Sequence, residues 1–174
     1  YNEKNEKYQV LYQVRSEHIS QPGEVSFPGG HAEDGETFQE AAIRETCEEL
    51  NIVPNQIDIW GEIDYLVHQG RTVHCFVGKL NIDNWEDISP NEEVARLFTV
   101  DIDTLLTENP VYYTVTSTLS DAKDFPFFLV KNRDRYNFGY SERPIPFYRN
   151  LTENIWGMTA MFTHRFTDIL KDLD

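Results

Sequence analysis

The sequence predicts a single α+β domain that occupies residues 1–174. A chain of 174 residues suits one domain with its own hydrophobic core. Its elements follow one another in the order strand, loop, helix, strands, helix, as judged from hydrophobic periodicity and turn signals. The sequence contains no internal repeat, low-complexity stretch or interdomain linker, so we expect no second domain within it.

Strands are predicted where apolar and β-branched residues cluster between turn signals. They cover residues 8–14, 57–67, 72–80, 95–100, 111–119 and 125–130. The second and third of these form a hairpin, because His68-Gln69-Gly70 separates them as a turn. The segment 109–150 is rich in Tyr, Phe and Pro, and its strand order stays open.

Three helices are predicted, and two of them lie after residue 100. A short helix is centred on residues 103–106, and a final helix spans residues 151–174 with Thr152 as its N-cap. The predicted buried stripe of the final helix consists of Ile155, Met158, Phe162, Phe166 and Ile169.

The remaining helix lies in residues 29–52, GGHAEDGETFQEAAIRETCEELNI, which is the most informative segment of the chain. Thr37 followed three residues later by Glu40 is a capping-box signature, so the helix should begin near Phe38. Residues 39–50 contain no Gly or Pro, and Pro54 closes the segment. At about 100° per residue, the apolar side chains fall on one side.

The other side of this helix is acidic. Glu45, Glu48 and Glu49 are spaced i, i+3 and i+4, so their carboxylates converge. A glycine pair leads the chain into the helix through a tight turn, which allows backbone carbonyls to join the carboxylates. Mg²⁺ and similar hard cations bind oxygen ligands, often a few carboxylates together with substrate phosphates. A solvated acidic face is the alternative interpretation of the same pattern.

The same residues resemble the signature of the Nudix family, G-x5-E-x7-R-E-U-x-E-E-x-G-U, where U is aliphatic. The matching positions are Gly30, Glu36, Arg44, Glu45, Glu48, Glu49 and Ile52. Thr46 replaces an aliphatic residue, and Asn51 replaces the final Gly. Asn tolerates a left-handed helix cap nearly as well as Gly does, so this second change is mild.

The resemblance extends to the coenzyme A diphosphatase branch of the family. The segment PGEVSFPGG before the helix and the segment IWGMTA near the end are similar to motifs of that branch. Ile19 stands where the branch has an Arg. The resemblance implies a Nudix fold, described as an α/β/α sandwich with a mixed β-sheet and the Nudix-box helix on one face. It also implies a further natural strand N-terminal to residue 1.

The resemblance further implies metal-dependent hydrolysis of a diphosphate, with Mg²⁺ or Mn²⁺ as cofactor. Such a substrate repels anionic nucleophiles, so metal ions must neutralise its oxygens and acidify a water molecule. As a hypothesis, Glu45 and Glu49 bind the metal, and Glu48 is a third ligand or the base. The Gly30 carbonyl completes the set.

Other candidate residues support this site. Arg44 and Glu36 are expected to form a salt bridge that anchors the loop and aims Glu45, and a surface pair of Arg44 with Glu40 is the alternative. Glu93, next to Glu92, is a second candidate for the catalytic base, with a solvated loop as the alternative.

Substrate phosphates should meet cationic side chains or backbone N–H groups. The candidates are Arg15, Gly29 and Arg71. The local basic cluster of Lys131, Arg133 and Arg135 is the remaining candidate for a 3′-phosphate, although surface solubility is the favoured explanation for it. No His residue has metal-ligand spacing, and none receives a catalytic role.

The composition restricts the class of partner. A formal net charge of −15 disfavours nucleic acid and anionic membranes as partners. No apolar run approaches the about 20 residues that span a bilayer, and no signal peptide is visible. We therefore expect a cytoplasmic enzyme with a small nucleotide substrate. A homodimer is possible within this family, but no sequence feature identifies an interface.

Three functions stay open. The first is hydrolysis of coenzyme A or acyl-CoA to 3′,5′-ADP and 4′-(acyl)phosphopantetheine. The second is a Nudix pyrophosphatase for another nucleotide, such as ADP-ribose, NADH or an oxidised dNTP. The third is a non-catalytic nucleotide-sensing Nudix module, which the complete set of box glutamates disfavours because a sensor needs no such cluster.

Overall fold

The computed structural model describes residues 1, 6–68, 70–118, 126–131 and 140–173. Its strands are β1 (Gln9–Arg15), β2 (Val25–Ser26), β3 (Ile57–His68), β4 (Arg71–Leu80), β5 (Val94–Asp101), β6 (Val111–Thr118), β7 (Tyr140–Tyr148) and β8 (Ile155–Trp156). Its α-helices are α1 (Phe38–Leu50), α2 (Ile102–Thr107) and α3 (Gly157–Lys171). The predicted α+β class is confirmed, because three helices accompany sheets whose described strand pairs are antiparallel.

The strands form three sheets, whose orders are β2-β1-β5, β3-β4 and β6-β7-β8. The pairings between these described strands are antiparallel, so the parallel pairing that a mixed sheet requires is not among them. Short connections account for the β1-β2, β3-β4 and β7-β8 pairs, because parallel neighbours need a long crossover. β1 and β5 also pair in antiparallel fashion, although α1, β3 and β4 lie between them in sequence. The predicted hairpin is confirmed, with ten paired positions from Ile57↔Leu80 to His68↔Arg71.

The hydrophobic core joins the first strand to the last helix. Tyr12 on β1 is fully buried, and its ring stacks on those of Phe27 and Phe98 at centroid distances of 5.0 and 5.3 Å. Tyr12 Oη lies 3.1 Å from Thr163 Oγ1 on α3, a contact between residues 151 positions apart. Leu105 of α2 is also fully buried in this cluster. The core therefore fixes β1, which borders the candidate site.

The final helix begins later than the sequence predicts. Ile155 and Trp156 pair with Tyr148 and Phe147 as strand β8, so α3 starts only at Gly157. The prediction of a helix from residue 151 with Thr152 as N-cap is therefore wrong. Ile155 and Trp156 can pair as a strand because Gly157, at φ +61°, provides the sharp turn that connects β8 to α3.

The buried face of α3 also differs from the predicted stripe. Phe162 is buried as expected, but Met158 is 38% exposed. Three threonines, Thr159, Thr163 and Thr167, occupy the buried face. Each hydroxyl donates to a backbone carbonyl, which makes their burial tolerable. Hydrophobic periodicity misses such a face because it counts apolar residues alone.

The segment 109–150 contains one predicted strand, one wrong prediction and one missed strand. β6 matches the predicted strand at residues 111–119. Residues 125–130 were expected to form a strand, but Phe127–Leu129 forms a 3₁₀ turn, and residue 125 lies outside the described part of the chain. β7 contains Pro144 and Pro146, which normally argue against a strand.

Candidate functional site

The site is built around α1, whose start follows the predicted capping box. Thr37 Oγ1 accepts a hydrogen bond from Glu40 N over 3.2 Å, and Glu40 Oε2 accepts from Thr37 N over 2.9 Å. Asn51 ends the helix in the left-handed conformation at φ 51°. Its side chain donates to the Ser89 carbonyl over 2.7 Å. The start of α1 is therefore fixed by local sequence, whereas its end combines a left-handed Asn51 with a contact to a distant loop.

Arg44 pairs with Glu36 rather than with Glu40. Its Nε lies 3.0 Å from Glu36 Oε1 and its Nη2 lies 3.0 Å from Glu36 Oε2, so the pair is bidentate. Glu40 is engaged in the capping box instead. Arg44 Nη2 also donates to the His31 carbonyl over 2.9 Å, which ties the loop before α1 to the helix. The Arg44 guanidinium holds the pKa of Glu36 below its ordinary value.

Arg44 also contacts two of the box glutamates, the name used here for Glu45, Glu48 and Glu49 of α1. Its Nη1 lies 3.1 Å from Glu45 Oε1 and 3.4 Å from Glu48 Oε2. The Glu48 side chain is 56% exposed, and the Glu45 side chain is 21% exposed. One guanidinium therefore links Glu36, Glu45 and Glu48, and partly offsets the repulsion among these carboxylates.

Gly30 lies directly against the carboxylate of Glu45. A Cβ atom at position 30 would overlap Cδ, Oε1 and Oε2 of that side chain. The backbone at Gly30 has no strained φ angle, so glycine is required here by space and not by conformation. The glycine thus brings a backbone segment and a carboxylate into close approach, as the sequence predicts for Gly30 and Glu45.

Glu49 is buried, although helical periodicity places it with the exposed glutamates. It is only 4% exposed. Its Oε2 accepts hydrogen bonds from Gly29 N over 2.8 Å and from Gln13 Nε2 over 3.1 Å. Burial raises the pKa of Glu49, and the nearby charges of Glu45 and Glu93 raise it further, against the effect of the two hydrogen bonds.

Glu93 lies close enough to Glu49 to act on its ionisation. The loop that carries Glu93 is attached to α1 and to β1. Asn91 N donates to the Glu49 carbonyl over 2.8 Å, and Ser16 N donates to the Glu93 carbonyl over 2.8 Å. Among Glu92 and Glu93, Glu93 is therefore the residue whose charge reaches the site.

The described residues contain no group of three or more His, Cys, Asp or Glu side chains gathered as in a formed metal cluster. Mutual repulsion explains this spread. The Glu45 and Glu48 carboxylates turn to Arg44, and the Glu49 carboxylate turns to N–H donors. The donor set still fits a divalent cation. The negative charges of Glu45 and Glu93 act on Glu49, and the Gly30 backbone lies against the Glu45 carboxylate. Oxygen is the atom type that hard cations bind.

The predicted substrate residues have mixed surroundings. Arg71 Nη1 lies 2.8 Å from His31 Nε2, so Arg71 sits beside the loop that contains Gly30. Arg15 closes its own loop, with Nε donating to the Ser20 carbonyl over 2.7 Å. The N–H of Gly29 donates to Glu49. In the basic cluster, Lys131 is exposed, whereas the two arginines at positions 133 and 135 lie outside the described residues.

Two residues of the site were missed by sequence reasoning. Gln13 comes from β1 and His31 from the loop, and each contacts a predicted site residue. Gln13 stands between the buried Tyr12 and Val14 on β1, which is a weak signal of a polar role. His31 adjoins the glycine pair but has no metal-ligand spacing.

None of the helices in the described part of the chain combines the length and apolarity that crossing a membrane requires. Comparison with known families shows that the NUDIX domain model matches residues 1–118. Enzymes of this family generally use divalent metal ions.

Two curated relatives support the match. Nudix hydrolase 3 of Caenorhabditis elegans is 30% identical over 167 residues, which cover 93% of this chain and 67% of that protein. The peroxisomal coenzyme A diphosphatase of Mus musculus is 33% identical over 132 residues, covering 74% of this chain and 54% of that protein. The chain thus spans about half to two thirds of the length of these relatives.

A solved structure agrees with them. The C. elegans Ap4A hydrolase binary complex aligns with a TM-score of 0.50 and 27% identity, over 59% of this chain and 76% of that one. The predicted Nudix fold is therefore confirmed, and the sequence resemblance to the coenzyme A diphosphatase branch is supported. The chain belongs to the Nudix hydrolase family, whose members act on acid anhydride bonds of nucleoside diphosphate derivatives.

Proposed function

We propose that this chain hydrolyses the diphosphate bond of coenzyme A or acyl-CoA, releasing 3′,5′-ADP and 4′-(acyl)phosphopantetheine. The observation that carries the chemistry is the buried Glu49 carboxylate. It is anchored by Gly29 N–H and lies within the field of Glu45 and Glu93. Burying an acid near other acids costs free energy, and acids with perturbed pKa values are typical of functional sites.

Mg²⁺ or Mn²⁺ is the proposed cofactor. Glu45 and Glu49 would hold the cation, with Glu48 and the Gly30 carbonyl as further ligands. When bound, the cation supplies charge neutralisation at the diphosphate and lowers the pKa of a water molecule. Two features of this site suit a divalent cation: its oxygen donors and the close approach of Gly30 to Glu45.

The protein side chains then divide the remaining tasks. Arg44 and Glu36 hold the loop against α1, so that Gly30 stays fixed beside Glu45. Glu93 is our candidate for the base that accepts a proton from the attacking water, because its charge reaches Glu49. Glu48 is the alternative base, and its exposed carboxylate is free of the core.

On the substrate side, Arg71 is the best-placed cation for a phosphate. Its described partner is the imidazole of His31, so no carboxylate offsets its positive charge among the described contacts. Arg15 and Gly29 stay predictions as substrate contacts, since both are engaged within the chain. In a chain with a net charge of −15, a local cation is valuable for attracting a polyphosphate.

Coenzyme A is preferred over other nucleotides on two grounds. The mouse relative is named a coenzyme A diphosphatase, and PGEVSFPGG and IWGMTA are similar to motifs of that branch. Ile19, in place of the branch's Arg, is the feature that favours a different substrate.

A second candidate function is hydrolysis of another nucleotide. The alignment with the Ap4A hydrolase supports a dinucleoside polyphosphate, and ADP-ribose, NADH and oxidised dNTPs belong to the same class. A non-catalytic sensor is the third candidate, and the full set of anchored glutamates argues against it.

A substrate panel tests this proposal. The chain is incubated with Mn²⁺ and equal concentrations of coenzyme A, Ap4A, ADP-ribose or NADH, and the products are separated by chromatography. Rapid release of 3′,5′-ADP from coenzyme A alone supports the proposal. Faster turnover of another nucleotide keeps the chemistry and discards coenzyme A, whereas metal binding without any turnover favours a sensor.

The cytoplasmic location and the homodimer stay predictions. Imaging of the tagged natural protein checks the first, which a peroxisomal signal, as in the name of the mouse relative, would contradict. Sedimentation of the purified chain checks the second, and a monomer at micromolar concentration would contradict it.

A further inference from the structure

Gln13 is a fully buried amide on β1 that points at the box helix. Its exposure is 0%. Its Nε2 donates to Glu49 Oε2 over 3.1 Å and to Ser26 Oγ over a longer 3.4 Å. An amide removed from water costs free energy unless it is hydrogen-bonded. A glutamine at this position therefore needs a reason beyond filling space.

Both N–H donors that reach Glu49 bind the same carboxylate oxygen. Gly29 N and Gln13 Nε2 both donate to Oε2. Across the described residues, Oε1 of Glu49 receives no hydrogen bond. Two donors from different elements, 20 and 36 positions away in sequence, fix the rotation of this carboxylate and leave its second oxygen for another ligand.

The other end of the Gln13 amide is unsatisfied. Its Oε1 is buried and has no hydrogen-bond partner within the described part of the chain. Orphaned buried acceptors are rare and costly, and each one requires an explanation. A residue selected only for packing would be apolar here, so the unpaired oxygen indicates that the amide is retained for what its N–H group does.

We propose that Gln13 is a positioning residue, which holds the Glu49 carboxylate in the orientation that binds a divalent cation. This inference rests on the proposed role of Glu49 as a metal ligand. Hydrogen-bond partners that orient a metal ligand typically change metal affinity or activity about 10–100-fold when they are removed. Gln13 acts through Glu49 and does not touch the substrate.

Two variants test the proposal. Gln13→Met keeps the length of the side chain and removes the donor, whereas Gln13→Asn keeps the amide but shortens its reach. Gln9→Met is the matched control, because Gln9 lies on the same strand and donates to Asp101 at a distance from Glu49. Mn²⁺ affinity is measured without substrate by electron paramagnetic resonance, and kcat and KM are measured over a range of Mn²⁺ concentrations.

We expect both Gln13 variants to bind Mn²⁺ about 10–100-fold more weakly than the natural chain. Saturating Mn²⁺ should restore most of kcat with KM unchanged, which a folding defect does not allow. Gln9→Met should bind Mn²⁺ normally. If Gln13→Met does not fold, Gln13→Asn decides alone.

Normal Mn²⁺ affinity in the folded Gln13 variants would overturn the inference, even if the natural chain hydrolyses coenzyme A. A different result would keep the positioning role and discard the proposed function: the Gln13 variants bind Mn²⁺ more weakly, and the natural chain hydrolyses no substrate of the panel. The two failures are therefore distinguishable.

Discussion

At the scale of single residues, Glu49 combines its proposed role as a metal ligand with a cost in stability. Its folded-state pKa is raised, mainly by burial. A raised pKa in an acid means that the ionised form is less stable in the folded protein than in the unfolded one. The cost is absent below the unfolded-state pKa and is present above the folded-state pKa, where both states are ionised.

Glu49→Gln should therefore raise the Tm of the metal-free protein at pH 7, and the gain should vanish near pH 4. For a chain of this size, each 1 kcal/mol corresponds to about 2–4 °C. Thermal unfolding from pH 4 to pH 8 measures the effect. Glu17→Gln on an exposed loop serves as the control and should change little. An equal or lower Tm for Glu49→Gln at pH 7 would contradict the assignment of Glu49 as a destabilising buried charge.

Gly30→Ala tests the close approach of the backbone to Glu45. The added methyl would displace the Glu45 carboxylate, so we expect kcat/KM to fall by about 10–100-fold while Tm stays nearly constant. Gly78→Ala is the comparison, because there the methyl meets the Asp58 carbonyl at 3.0 Å within the β3-β4 hairpin. It should lower Tm instead. Full activity in Gly30→Ala would show that the position of Glu45 is unimportant.

The burial of the Glu49 side chain is the part of the site that the sequence could not predict. Helical periodicity gives the direction of a side chain but not what another element places against it. Glu49 is buried because Gln13 and Gly29 reach it from distant positions in the sequence. The Arg44–Glu36 pair was predictable as one of two options, and the structure selects it because Glu40 is used in the helix cap.

At the scale of elements, the prediction for α1 can be tested at its cap. Thr37→Ala removes the acceptor for Glu40 N and should lower the free energy of unfolding by about 1 kcal/mol. Urea unfolding measures this change. Thr152→Ala is the matched control, since Thr152 is exposed and caps no helix. It should stay within about 0.5 kcal/mol of the natural chain. Equal losses in the two variants would contradict the cap assignment.

Elements with strong local signals were predicted well. The cap of α1, the β3-β4 hairpin and strands β1, β5 and β6 agree with expectation to within one or two residues at their ends. The wrong predictions concern elements decided by tertiary contacts. β7 forms despite Pro144 and Pro146, and Ile155 joins a strand rather than a helix, because pairing with a neighbouring strand outweighs local preference.

At the scale of the whole molecule, the family match and the structure emphasise different parts of the chain. The match covers residues 1–118, yet the core also requires Tyr148, Ile155 and α3. The buried contact between Tyr12 and Thr163 joins the two parts. The C-terminal segment therefore supports β1, and through β1 it supports the residues around Glu49.

Tyr12→Phe should destabilise this connection. The Thr163 hydroxyl keeps its bond to the Thr159 carbonyl and loses its contact with Tyr12. We expect a loss of about 0.5–1.5 kcal/mol in urea unfolding. Tyr113→Phe is the control, because Tyr113 Oη accepts from Arg149 at an exposed position. A larger loss for Tyr113→Phe than for Tyr12→Phe would show that the Tyr12 contact does not hold the two parts together.

The central claim is that this chain hydrolyses the diphosphate bond of coenzyme A with a divalent metal that the box glutamates hold. The most direct measurement is release of 3′,5′-ADP from coenzyme A by the natural chain and by Glu49→Gln, first with a chelator and then across a Mn²⁺ titration. The account predicts release by the natural chain only when Mn²⁺ is added, and a loss of release in Glu49→Gln that exceeds the about 10–100-fold typical of removing a partner that merely orients a ligand. Release that is independent of metal, or that persists in Glu49→Gln, would contradict it.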